Sequence, residues 1–166
     1  MENFCDNESL DLELLDFKSW KYPDYPLPDG ELERLESLAK LAVLDQGLDQ
    51  TFLNKIAKLA EQVVGAGLGL VNIVGETEQR TLNQTPFNVE KLPRNQSFCN
   101  YTVAAGNPFF VRDATIDERF SENPLVTNSP SIRSYIGVPI SDDSGMNLGA
   151  VCCLDSEIME RPTKLQ

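Results

Sequence analysis

"SYIGVPISDDSG" and "NLGAVCCLD", residues 134–145 and 147–155, decide how this chain is read. Each carries an apolar strand signal, and the Asp, Ser and Gly residues between them supply a turn. Upstream, "LGLVNIVGE" (68–76) and "QRTLNQT" (79–85) flank a tight polar turn and read as a hairpin. Between the two pairs lies a crossover region. It holds the segment "NQSFCNYTVAAG" (95–106), a short apolar run "NPFFVRDA" (107–114) and one helical turn in "TIDERFSENP" (115–124). Two helical patterns precede all of these. In "ELERLESLAKLAVLD" (31–45), Leu32, Leu35, Ala39 and Ala42 share a face, Leu38 and Leu41 widen it, and Asp45 and Gly47 end it. In "QTFLNKIAKLAEQVVG" (50–65), Phe52, Ile56, Leu59 and Val63 recur at helical spacing behind an Asp49 cap, and Gly65 and Gly67 stop the helix. The pattern predicts an α+β fold with a largely antiparallel sheet.

Composition narrows the function. The 166 residues suffice for one domain and carry a formal charge of −12, which repels phosphate backbones and anionic membranes; no nucleic-acid or membrane partner is expected. No stretch approaches the roughly 18 continuous apolar residues of a membrane span, and the acidic start is unlike a signal peptide, so a cytoplasmic location is expected. Residues 1–29 hold eight acids against Lys18 and Lys21, a net of −6, and end in "YPDYPLPDG", an extended linker. Leu10, Leu14, Phe17 and Trp20 fit a short amphipathic helix within this arm, and a solvated arm is the alternative reading. There is no histidine, and Cys5, Cys99, Cys152 and Cys153 show no metal-ligand spacing, so no metal, haem or other cofactor is expected.

The ordered strings "LPRNQSFCNYTV", "FFVRDATIDERFSENPLVTNSPSIRSYIGVPI" and "LGAVCCLD", together with the two leading helices, resemble a GAF domain. The likeness is to the sensory subtype found ahead of bacterial histidine kinase and diguanylate cyclase modules, and it runs from about Pro28 to Pro162. It implies a central antiparallel sheet of five to six strands, with N-terminal helices on one face that pair between subunits. On the other face a shorter helix and loops close over a pocket, with "SFCNYTV" as part of the cover. The domain would occupy residues 30–166 and lack the usual C-terminal signalling helix, since the chain stops at "RPTKLQ". Two further departures are Asn100 and Tyr101, where relatives often have a histidine, and Val74-Gly75-Glu76, where they often have Val-Asp.

Candidate pocket residues are the polar Asn72, Asp113, Asn123, Arg133 and Tyr135, and the apolar Phe98, Cys99, Tyr101, Phe120 and Leu125. Asp113 and Arg133 fit a structural ion pair equally well. Covalent bilin attachment at Cys99 lacks its neighbouring histidine. Reduction of free methionine sulfoxide, which some GAF-fold enzymes perform, needs a second thiolate. The family's cysteine would fall near Asn128, and Cys152 and Cys153 point to opposite strand faces. Cyclic-nucleotide capture has Arg112, Arg119 and Arg133 available but not the family signature. Cys99 reads as a packing residue, because no second thiol stands at a suitable sequence distance; a redox sensor assisted by Arg94 and a helix start at Ser97 is the lesser alternative. The expectation is a non-catalytic sensory domain, dimeric through its N-terminal helices, that binds an unidentified small molecule and acts on an output domain or partner signalling protein. A protein–protein interaction module with a pocket filled by Phe98, Tyr101 and Phe120 is the alternative.

Overall fold

A computed structural model describes residues 25–41, 48–85 and 90–160. The amphipathic reading of the acidic arm, Cys5, and the helix stop at Asp45 and Gly47 lie outside them. Six strands form one antiparallel sheet in the order β3-β2-β1-β6-β5-β4. They are β1 (Leu68–Val74), β2 (Glu78–Thr81), β3 (Lys91–Pro93), β4 (Phe109–Val111), β5 (Ser134–Ser141) and β6 (Asn147–Asp155). Both expected strand pairs are present, and β1 pairs with β6 at the centre with Leu70 opposite Cys152.

Strand alternation sends successive side chains to opposite faces. Leu68, Leu70 and Val74 of β1, with Ala150, Cys152 and Leu154 of β6 and Tyr135 of β5, join the main core under α3 (Phe98–Ala105). Val71, Val151 and Ile140 face the other way, toward α2 (Gln50–Val64). Cys152 and Cys153 therefore divide between the two layers, as adjacency on a strand requires. A fourth helical turn, α4 (Pro124–Thr127), was not expected from sequence; Asn123 caps it and Pro124 opens it. The turn read in 115–124 starts at Asp117, whose carbonyl accepts from Phe120 N and Ser121 N.

Both leading helices leave much of their apolar pattern outward, although Leu35 and Leu38 of the first are half-buried and Ile56 of the second packs against the sheet. In α1 (Glu31–Leu41) Leu32 is 74% exposed and the buried residue is Arg34, at 1%. In α2 the row Phe52, Leu59 and Val63 is 60%, 60% and 76% exposed, whereas Leu53 and Ala57 meet the sheet. The reason for the second is steric. A Cβ on Gly69 would stand 2.2 Å from Ala57 O, so α2 presses its backbone onto β1 where neither partner has a bulky side chain. The predicted caps do hold: the Asp49 side chain accepts from Thr51 N and Phe52 N, and Gly65 ends the helix at φ +77°.

Candidate functional site

The site starts at the turn before α3. Ser97 caps that helix, accepting from Asn100 N at 3.0 Å, while its hydroxyl donates to Gln79 Oε1 at 2.5 Å. Arg94, fully enclosed, donates Nε to Asn100 Oδ1 at 2.8 Å and Nη1 to Gly75 O at 3.0 Å. Its charge meets Glu31 of α1, with Nη1 to Oε1 at 2.5 Å. The same carboxylate takes Arg34 Nε at 2.7 Å, and Arg34 Nη1 donates to Val74 O at 2.7 Å. One carboxylate thus joins α1, the end of β1 and the root of α3. Asn100 also donates to Pro26 O at 2.9 Å, which lays the end of the proline-rich linker against α3.

Under α3 lies a cavity of about 80 Å³. Its walls are largely aliphatic, with Leu68, Leu70, Leu92, Leu125, Ile132 and Leu154 among them, and Phe98 and Tyr135 bound it. Asn72, Gln79, Thr81, Thr85, Cys99 and Cys152 supply polarity. Asn72 is fully buried; its Nδ2 faces Cys99 Sγ at 3.2 Å and Cys152 Sγ at 3.5 Å. Its Oδ1 has no hydrogen-bond partner among the described residues. A buried carbonyl left unpaired is costly, and such groups call for an explanation.

Of the candidate residues, Asn72, Phe98, Cys99, Leu125 and Tyr135 line this cavity. Tyr101, Asp113, Phe120, Asn123 and Arg133 do not. Phe120 stacks on Phe98 with ring centroids 4.1 Å apart, and Tyr101 meets Phe120 at 4.8 Å, so aromatic rings occupy the ground beside α3. Arg119 covers that cluster, its guanidinium 4.8 Å from the Phe109 ring. Asn123 is spent on structure: it caps α4 and donates to Gln96 O at 2.9 Å. Asp113 and Arg133 form an ion pair, Nη2 to Oδ2 2.5 Å, and hydrogen bonds from Arg133 and Thr115 hold the Asp113 carboxyl down to about 2. That is the structural role named as its alternative. Tyr135 shares a 2.6 Å hydrogen bond with Thr102, and burial pushes its phenol well up.

The thiols require a correction. Sequence distance gave Cys99 no second sulfur, yet Cys152 Sγ lies 3.5 Å from Cys99 Sγ. The contact spans the 53 positions between α3 and β6, which only sheet register can bring together. Burial opposes ionisation of both. Hydrogen bonds facing Cys99 from Cys152, Tyr135 and Asn72 hold that thiol below the usual range, whereas contact with Cys99 and burial push Cys152 well up. Cys153, on the opposite face, is pushed up to about 12 by burial and by Glu61.

A six-stranded antiparallel sheet with α2 on one face and α3 over a cavity on the other is the architecture, and the chain belongs to the GAF domain family, whose pattern matches residues 50–165. It is 33% identical over 132 residues to a cyclic di-GMP phosphodiesterase of Pseudomonas aeruginosa, aligning over 80% of this chain but 22% of that one. The fold resembles the GAF domain of an Acinetobacter phosphoenolpyruvate-protein phosphotransferase, with TM-score 0.56, 12% identity and coverage of 82% and 84%. It also resembles the free methionine-R-sulfoxide reductase of Neisseria meningitidis, with TM-score 0.54, 18% identity and coverage of 86% and 85%. Among the described residues no helix is long and apolar enough to cross a membrane.

Proposed function

We propose that this chain is a non-catalytic regulatory GAF domain that senses a small molecule in the cavity beneath α3. The observation that carries the reading is the unpaired Asn72 Oδ1 on the floor of a mainly apolar cavity. A mainly apolar site with an unpaired buried acceptor suits a small, mainly apolar ligand that brings a hydrogen-bond donor. Size limits it further. A 150 Å³ engineered cavity is known to hold benzene, and 80 Å³ is about half of that. A nucleotide does not fit this state. The likeness to a cyclic di-GMP phosphodiesterase supports a role in bacterial signalling, with the ligand biasing an output domain or partner protein rather than undergoing chemistry.

Native mass spectrometry of freshly purified protein tests this. The expected result is a retained small molecule that disappears in Asn72→Leu, because that ligand loses its acceptor, worth roughly 1–3 kcal/mol or about 5- to 150-fold in affinity. Protein that is free of ligand from every preparation, and gains no thermal stability from small donors with apolar bodies, overturns it. That result would favour the interaction module, which the aromatic packing of Phe98, Tyr101 and Phe120 already supports in part.

We also propose that the partner of α2 is a second copy of this chain. Phe52, Ile56, Leu59 and Val63 follow a 4-3-4 spacing, the seam of a two-helix coiled coil, and three of the four are exposed. Sedimentation is expected to show dimer at tens of micromolar for the native chain and monomer for Leu59→Glu. A native chain that stays monomeric through that range overturns it.

A further inference from the structure

We infer that Cys99 and Cys152 form a peroxide-reactive dithiol, in which a small hydroperoxide entering the cavity beneath α3 is reduced and the two sulfurs close into a reversible disulfide. Three observations support it. The sulfurs are already in contact at 3.5 Å. Both line the cavity, whose 80 Å³ exceeds the roughly 10–15 Å³ that one water-sized molecule needs. And Asn72, entirely buried, turns its amide nitrogen to both sulfurs while its Oδ1 stays unpaired. That oxygen can accept the O–H hydrogen of a hydroperoxide, and so hold the O–O bond beside sulfur.

The chemistry balances in two steps. The Cys99 sulfur attacks the terminal oxygen of the hydroperoxide and the O–O bond breaks. The leaving alkoxide takes up the Cys99 thiol proton and departs as an alcohol (water, when the oxidant is hydrogen peroxide). Cys99 is left as a sulfenic acid. The Cys152 sulfur then attacks the Cys99 sulfur, the S–O bond breaks, and hydroxide leaves with the Cys152 proton as water. Two thiols lose two electrons in total, and the hydroperoxide gains them.

Geometry assigns the attacking role to Cys99. It receives the Asn72 amide at the shorter distance, 3.2 Å against 3.5 Å, and its thiol is held low while that of Cys152 is held high. Cys153 is shut out, because it faces the helix layer on the far side of the sheet and its thiol is pushed up to about 12. The size of the cavity also selects the oxidant: hydrogen peroxide and short alkyl hydroperoxides enter, and glutathione disulfide does not. The inference goes beyond the ligand reading and does not depend on it.

The test treats the full chain with hydrogen peroxide, quenches free thiols with an alkylating reagent and maps the peptides. The expected product is a peptide pair joining Cys99 to Cys152, with the loss of two hydrogens from the intact mass and restoration by a phosphine. Cys153→Ala is expected to react at the native rate. Cys152→Ala is expected to stop at a Cys99 sulfenic acid, trapped by dimedone. Oxidised glutathione is expected to give the linked pair at least about tenfold more slowly than peroxide. Cys99 and Cys152 both free after a dose that oxidises the urea-unfolded chain overturns the inference; so does a linked pair that contains Cys5 or Cys153 in equal yield. The native-chain map needs no variant to fold. It also reads no ligand, so its failure leaves the sensor proposal standing and an empty pocket leaves this one standing.

Discussion

Glu31→Gln is expected to destabilise the domain by about 3–5 kcal/mol, and so to lower the melting temperature by roughly 6–20 °C. The size follows from what the substitution leaves behind. Arg34 and Arg94 are each 1% exposed, and Glu31 is the carboxylate paired with both. Without it two enclosed guanidinium groups keep their charge and lose their counterion. Position within the helix cannot explain such a loss. Glu31 opens α1, and a first-turn carboxylate contributes only about 0.3–1 kcal/mol through the helix dipole. Glu33→Gln removes an exposed acid from the same turn and is expected to change stability by no more than about 0.5 kcal/mol. Equal losses from the two variants would refute the network. The pH dependence gives a second readout. Burial alone would raise the Glu31 carboxyl, but hydrogen bonds from Arg34 and Arg94 and their charges bring it down to about 2. A carboxyl depressed in the folded state stabilises fully above its unfolded value of about 4.3 and loses that contribution as the pH falls toward its folded value. The gap between native and Glu31→Gln chains in urea melts is therefore expected to be widest near neutrality and to shrink between about pH 4 and pH 2.

Gly69→Val is the second large effect, about 3 kcal/mol or more, with soluble yield falling accordingly. A Cβ at this position would sit 2.2 Å from Ala57 O and 2.9 Å from Ala57 C, which is backbone and cannot swing aside as a long side chain would. Either α2 lifts from β1, uncovering Leu53, Ala57 and Val71, or the strand shifts register. Gly69→Ala already makes the same overlap and is expected to lose more than half as much. The position also shows why hydrophobic area is a poor guide to this interface: the contact is made by the absence of side chains. A midpoint in urea within experimental error of the native chain for Gly69→Val would show that α2 can float, and would reject this account of its packing.

Much of the architecture was readable because its signals are local. Strand alternation in 68–76 and 147–155, the polar turns between paired strands, and the Asp49 and Ser97 caps all depend on residues within a few positions of one another. The inward face of the leading helices was not readable in the same way. Phe52, Leu59 and Val63 make a stronger apolar row than Leu53 and Ala57, so hydrophobicity alone does not say which row meets the sheet. Arg34 looks like a surface residue until Glu31 and Val74 O are found beside it. The candidate site divides along the same line. Asn72, Phe98, Cys99 and Tyr135 line the cavity, since strand parity and the helix start place them there. Asp113, Phe120 and Arg133 sit outside the strands and helices, Asn123 caps a helical turn that was not expected, and Tyr101 lies on a face of α3 turned away from the cavity; they serve packing, a cap and an ion pair. That Cys152 and Cys153 divide between the two faces was readable from their adjacency, but the contact of Cys152 with Cys99 is a product of register.

The strand order carries a consequence for how the molecule comes into being. The two central strands are the first and the last to be made: Leu68 pairs with Leu154, and Ile73 with Gly149. Contacts this distant in sequence close slowly, because a long loop must lose its freedom before any of them form. During synthesis β1 therefore leaves the ribosome with one edge unpaired, and it waits through the whole crossover region for β6 to arrive. The β1–β2 hairpin and α2 are the parts that can assemble meanwhile, and the open edge of β1 is where a neighbouring nascent chain could attach by mistake. Translation speed through the crossover, rather than any property of the finished domain, sets how long that hazard lasts.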